Sequence, residues 1–187
     1  MENVEGKGDG KTILFFGKII ESKGTFSVVK AFNIVAEKYP NVRLKLIGNG
    51  NIEKAKELLA PQYRNRVEMP GFMRKEEIKQ EIDNAMFCVL PSYFENFSMA
   101  ALEVLARKRA LIYTRRSSGS ELIQDGENGF LVDPSNIDEI VQKIEQLIDN
   151  PKLCQSMAEK GYLCCKERFS VNTIVPQLEQ YYQKYVS

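Results

Sequence analysis

Residues 94 to 103, FENFSMAALE, set two carboxylates, Glu95 and Glu103, around a stretch that is otherwise mostly small or apolar. Ser98 ahead of an apolar run reads as a helix start, so the amides of Phe97, Ser98, Met99 and Ala100 are the unpaired donors of a first turn. Such a turn, with its partial positive charge, can hold a phosphate. Glu103 follows Glu95 by eight residues, roughly 12 Å along a helix axis and about 80° around it. Two carboxylates so placed do not share one proton; at most they flank something extended. Each also has a plainer reading, Glu95 as a favourable charge near a helix start and Glu103 as a surface carboxylate. Against the second, Ala100, Ala101, Leu102, Val104 and Leu105 make the helix apolar enough to be buried, where a Glu needs a partner.

Three other loops carry candidate residues. GKIIESKG (17–24) begins at Gly17 and offers Lys18 and Lys23 beside a helix N-terminus, an anion site or else a solvated loop with ordinary surface lysines. Its spacing matches neither GxxxxGK[ST] nor GxGxxG. LIGNGN (46–51) sets Asn49 between two glycines, either a close backbone approach to a ligand or a tight strand-to-helix turn. In PGFM (70–73), Phe72 or Met73 could cover a flat ring or simply pack on the core.

The elements that must position these loops alternate. TILFFG (12–17) reads as a strand and GTFSVVKAFNIVAEKY (24–39) as a helix whose stripe is Phe26, Val29, Phe32 and Val35 or Ala36. Strand 42–48, helix 51–63, strand 66–69, helix 75–84, strand 86–91, helix 98–107 and strand 110–114 follow. A short strand lies between turn signals in 125–134, and 136–149, 151–168 and 171–186 read as helices. This order implies an α/β fold, a Rossmann-like, doubly wound parallel sheet with helices on both faces and a helical C-terminal tail. In such sheets ligands bind beyond the carboxyl ends of the strands, where all four loops lie.

Composition narrows the chemistry. The 187 residues suggest one domain over 11–187 after a polar, glycine-rich linker at 1–10, with neither a signal peptide nor a membrane anchor at the start. With 26 basic and 25 acidic residues the net charge is +1, so no global field points to nucleic acid. Four cysteines without CxxC spacing fit a reducing cytoplasm, and no apolar run is long enough to span a bilayer. The absence of histidine excludes histidine-based triads and imidazole general bases.

Glu, seven residues, Glu at a helix start resembles the EX7E signature of retaining glycosyltransferases of family 4. The order FFGKIIESKG, LIGNG, VEMPGF, FENFSMAALEVLA, SELIQDGENGFLVDP and the terminal FS (169–170) is similar to that family over nearly all of 11–187. The resemblance implies the C-terminal, nucleotide-sugar-binding half of a two-domain GT-B enzyme, without its N-terminal acceptor-binding half. It implies that Lys23 and Lys18 bind the donor diphosphate, assisted by the Asn96 to Met99 turn and its backbone amides at Phe97, Ser98 and Met99. It further implies that Glu95 contacts sugar hydroxyls, that Glu103 accepts from the ribose, and that the Gly17, Asn49, Phe72 and Met73 loops border the donor.

The implied reaction transfers a sugar from a nucleoside diphosphate sugar, UDP slightly ahead of GDP, with retention, no metal and no cofactor, in glycan or polysaccharide biosynthesis. Glu95 and Lys23 are the expected catalytic residues, Glu95 positioning the sugar rather than attacking it. The fragment alone is expected to be inactive, with at most peripheral membrane contact. Two stretches depart from the family, ARKRALI (106–112), where a glycine cap is lost, and RRSSGSEL (115–122), with Ser117 and Ser118 where paired glycines are frequent. Arg107, Lys108 and Arg109 read there as solvated helix-end cations. Other readings are a catalytically silent nucleotide-binding or scaffold module and, disfavoured by EX7E and the lack of histidine, a nucleoside-diphosphate-sugar epimerase.

Overall fold

The computed structural model describes residues 8–116 and 118–186, so Ser117 and the first seven positions of the expected linker lie outside the described residues. Among the described residues six strands form one parallel sheet: β1 (Thr12–Phe16), β2 (Arg43–Ile47), β3 (Val67–Gly71), β4 (Phe87–Leu90), β5 (Leu111–Thr114) and β6 (Phe130–Val132). Their spatial order is β3-β2-β1-β4-β5-β6. The chain therefore builds outward from β1, returns to the middle, and builds outward again the other way. Leu14 pairs with Lys45 on one side and Cys88 on the other. Every residue of β4 and β5 is buried, as continuous apolar runs in a sheet covered on both faces should be.

The connecting helices are α1 (Thr25–Lys38), α2 (Ile52–Leu58), α3 (Lys75–Asn84), α4 (Met99–Ala106), α5 (Gly119–Leu122), α6 (Ile137–Asp149), α7 (Pro151–Phe169) and α8 (Val171–Val186). The expected stripe of α1, Phe26, Val29, Phe32, Val35 and Ala36, is buried. Helix α1 packs against α2 and α6, and α4 packs against α7. Helix α8 leaves Val171, Val175, Leu178, Tyr181 and Tyr185 exposed at helical spacing. Among the described residues no helix is long and apolar enough to cross a membrane.

The helix expected over 51–63 stops at Leu58. Leu59 is already extended, ψ 123, and Ala60, which Pro61 holds out of the helical region, follows at ψ 130; a 3-10 turn over Pro61–Arg66 replaces the last part. The single turn α5 and a 3-10 turn at Glu21–Lys23 carry too few residues to show a period.

The ARKRALI stretch corrects a reading. Arg109 is not a solvated helix-end cation: it is 2% exposed, donating to the carbonyls of Lys108 at 2.9 Å and Asp83, and burial lowers its pKa. Arg107 Nε donates to Asp83 Oδ1 at 2.6 Å. The missing glycine is replaced by Lys108 in the left-handed conformation, φ 52. Lys108 N donates to Leu105 O at 3.1 Å and Arg109 N to Val104 O at 3.3 Å, the paired bonds of a Schellman end. An L-residue pays about 1–2 kcal/mol for that conformation; against it stand the 3.3 Å contact of a lysine side chain only 30% exposed with Glu159 and its place 4.8 Å over the Tyr162 ring. Strain relief and lost contacts nearly offset, so Lys108→Gly is expected to shift stability by less than about 1 kcal/mol in urea unfolding; a loss of about 2 kcal/mol or more would contradict this.

Candidate functional site

The strand order reverses between β1 and β4, and the loops leaving their carboxyl ends part there to leave a crevice. Gly24 pins the two loops together: its φ is +71, and a Cβ on it would stand 2.0 Å from the carbonyl oxygen of Pro91. Tyr93 N also donates to Ser22 O at 2.8 Å. The β1 loop is tied to the β2 loop by Ile19 N to Asn49 O, 2.9 Å, and Asn51 N to Ile19 O, 2.8 Å. Gly48 N in turn donates to Gly71 O at 2.8 Å, so the loops after β1, β2, β3 and β4 form one connected rim.

Across the crevice Lys23 Nζ lies 2.6 Å from Glu95 Oε2. These two residues, with Gly17, Ser92, Ser98 and Ala100, line a cavity of about 70 Å³ whose other walls are apolar. The backbone of Glu95 is fixed from the far side, its carbonyl accepting from Ser118 Oγ at 3.2 Å. Ser98 caps α4, its hydroxyl accepting from Ala101 N at 3.2 Å. Leu102 N donates to Ser98 O. The amides of Phe97, Ser98, Met99 and Ala100 have no partner among the described residues, as the sequence predicts. Beneath them Tyr113 is fully buried, and burial pushes its phenol pKa up. Its hydroxyl lies beside those of Ser98 and Ser118 without making a hydrogen bond among the described residues.

The other predicted residues lie outside this cavity. Lys18 is exposed, its carbonyl accepting from Thr25 Oγ1 at 3.2 Å. Asn49 and Asn96 are exposed, Phe72 stands out into solvent, and Met73 packs on the core. Phe97 meets the ring of Phe169 with centroids 5.7 Å apart, while Met99 is exposed. Glu103 is not buried as its neighbours imply: its side chain is 30% exposed, with Lys75 Nζ 3.9 Å away. Larger surface hollows, such as one of about 500 Å³ beside β3, hold none of these residues. Among the described residues no cluster of three His, Cys, Asp or Glu side chains is placed to hold a metal.

The family model for glycosyl transferases group 1 matches residues 1–163. The chain belongs to this family. A capsular polysaccharide biosynthesis glycosyltransferase, CapM of Staphylococcus aureus, is 25% identical over 181 residues, 95% of this chain and 47% of CapM. The chain spans about half the length of the curated relatives it matches. Among solved structures, the C-terminal domain of the group 1 protein LpcC from Francisella tularensis is similar, with a TM-score of 0.77, 28% identity and 88% of each chain covered. Anabaena Alr3699/HepE, solved with UDP and glucose, has a TM-score of 0.83 at 21% identity, over 94% of this chain and 48% of that one. The group 1 fold here is thus the GT-B C-terminal domain.

Several site neighbours escaped the sequence reading. Ser92 follows the strand-ending Pro91 and could have been noticed there; Lys75 and Tyr113 approach only through the fold. At the RRSSGSEL departure, Arg115 Nη2 bonds Glu139 at 2.6 Å and Arg116 Nη2 bonds Asp133 at 2.8 Å, so both cations have carboxylate partners of their own. The Gly24 contact makes a specific demand. Gly24→Ala is expected to cost about 2 kcal/mol or more in stability, because left-handed strain and a clash with a main-chain oxygen add; an unchanged unfolding midpoint would show the loops free to part.

Proposed function

We propose that this group 1 chain is the donor-binding half of a family 4 retaining glycosyltransferase, using a nucleoside diphosphate sugar in glycan or polysaccharide biosynthesis. The observation carrying the reading is that Lys23 shares the cavity at the strand-order reversal with Ser98 and Ala100, at a helix start whose amides 97–100 are unpartnered among the described residues. Cation and helix start together form a cradle for a diphosphate. In the transfer step the same groups stabilise the negative charge of the departing nucleoside diphosphate, a role that in other enzymes falls to a divalent metal. No metal or further cofactor is invoked.

Roles follow from position along the ligand. Glu95, beside Lys23, accepts hydroxyls of the sugar and positions it; Lys18 adds charge at the outer edge of the diphosphate. Glu103, further along α4 and partly exposed, accepts the ribose hydroxyls. Phe72, Met73, Gly17 and Asn49 border the donor on the connected rim. UDP is placed slightly ahead of GDP as the commoner donor base of such enzymes. The acceptor is bound by a second lobe, supplied by the half-length that the relatives possess beyond this match.

Calorimetry with UDP-, GDP- and ADP-sugars tests the reading. Loss of charge-assisted bonds to the ribose in Glu103→Ala is expected to weaken binding by about tenfold or more; unchanged affinity would overturn the ribose assignment. The 187-residue chain is expected to bind nucleotide and transfer no sugar on its own, since catalysis requires both reactants to be held in one cleft. Turnover by the purified chain, followed by nucleoside diphosphate release with a supplied acceptor, would contradict that.

A further inference from the structure

Lys23 and Glu95 serve two different parts of the proposed donor, the diphosphate and the sugar, yet here they satisfy each other. Their charged atoms are 2.6 Å apart, with side chains 33% and 17% exposed. Among the described residues neither side chain has a second charged partner. The main chain on both sides is fixed, through Gly24 against Pro91 and through Ser118 on the Glu95 carbonyl. The side chains alone are left to rearrange.

We propose that this ion pair is a specificity latch, which makes recognition of the sugar conditional on the diphosphate. The inference rests on the donor-binding reading above. An anion settling on the free amides of 97–100 competes with Glu95 for Lys23. Once the lysine turns to phosphate oxygens, Glu95 is left without its cation in a cavity walled by Phe15, Phe16 and Leu90, where a carboxylate without donors is unfavourable. Sugar hydroxyls supply those donors. An intact nucleotide sugar therefore satisfies both groups. A free sugar meets a carboxylate that is already paired, and a bare nucleoside diphosphate leaves Glu95 unpaired next to a second anion. The same imbalance favours departure of the nucleoside diphosphate after the sugar has gone, because Lys23 returns to Glu95.

A double-mutant cycle by calorimetry separates the latch from simple repulsion. Glu95→Gln, Lys23→Gln and the double variant are titrated with inorganic pyrophosphate, UDP, GDP, UDP-glucose and GDP-mannose. The latch predicts that Glu95→Gln tightens pyrophosphate and the nucleoside diphosphate by about three- to fivefold while weakening the nucleotide sugar. In the Lys23→Gln background the tightening falls below about twofold, because no cation remains to be released. Unchanged or weaker pyrophosphate binding in Glu95→Gln, or equal tightening in both backgrounds, overturns the latch and leaves donor binding standing. If wild type binds none of the five probes, or Lys23→Gln weakens none, donor binding and latch fall together.

Discussion

Two loops that leave neighbouring strands, β1 and β4, are held against one another at Gly24, where any side chain would enter the carbonyl of Pro91. Everything proposed for the site depends on that approach. It sets the start of α1 beside the loop that leads into α4, and it brings a lysine from residue 23 onto a carboxylate from residue 95. The strand-order reversal supplies the crevice, and the glycine contact sets how wide it opens. Loop-to-loop backbone bonds through Ile19, Asn49, Gly48 and Gly71 extend the same constraint to β3.

In the proposed site the donors are arranged ahead of the ligand. Ser98 takes the amide of Ala101, and the four preceding amides have no competing partner among the described residues. A helix start so capped offers fixed dipoles, and fixed dipoles need no reorganisation when charge develops on a leaving group. Arg115 and Arg116, which could have crowded the crevice with competing cations, are bound to Glu139 and Asp133 instead. Lys23 and Glu95 remain, paired with each other.

Much of this was legible in the sequence because helix and strand alternate with clear periods, and because helix-start chemistry is local. The stripe of α1, the Ser98 cap and the free amides of 97–100 follow from residue order alone. What the sequence misjudged involves partners distant along the chain. Arg109 reads as a surface cation, yet it reaches a carbonyl of α3 and is buried; Glu103 reads as buried, yet its face of α4 is open enough for Lys75 to approach. Pro61 signals that no helix runs through Ala60, but the chain turns extended one residue earlier, at Leu59, which no local residue type announces. Lys108 shows why a missing glycine is weak evidence of a missing cap: the Schellman bonds form regardless, at the cost of left-handed strain.

In the proposed complex a nucleoside diphosphate settles at the start of α4, between the β1 and β4 loops. Amide NMR of the labelled chain during titration with UDP and with GDP tests this residue by residue. The largest shifts are expected at Phe97, Ser98, Met99 and Ala100, with smaller ones around Gly17 to Gly24. Shifts confined to the opposite, amino-terminal edge of the sheet, around Met86, Arg109 and Ala110, would contradict it.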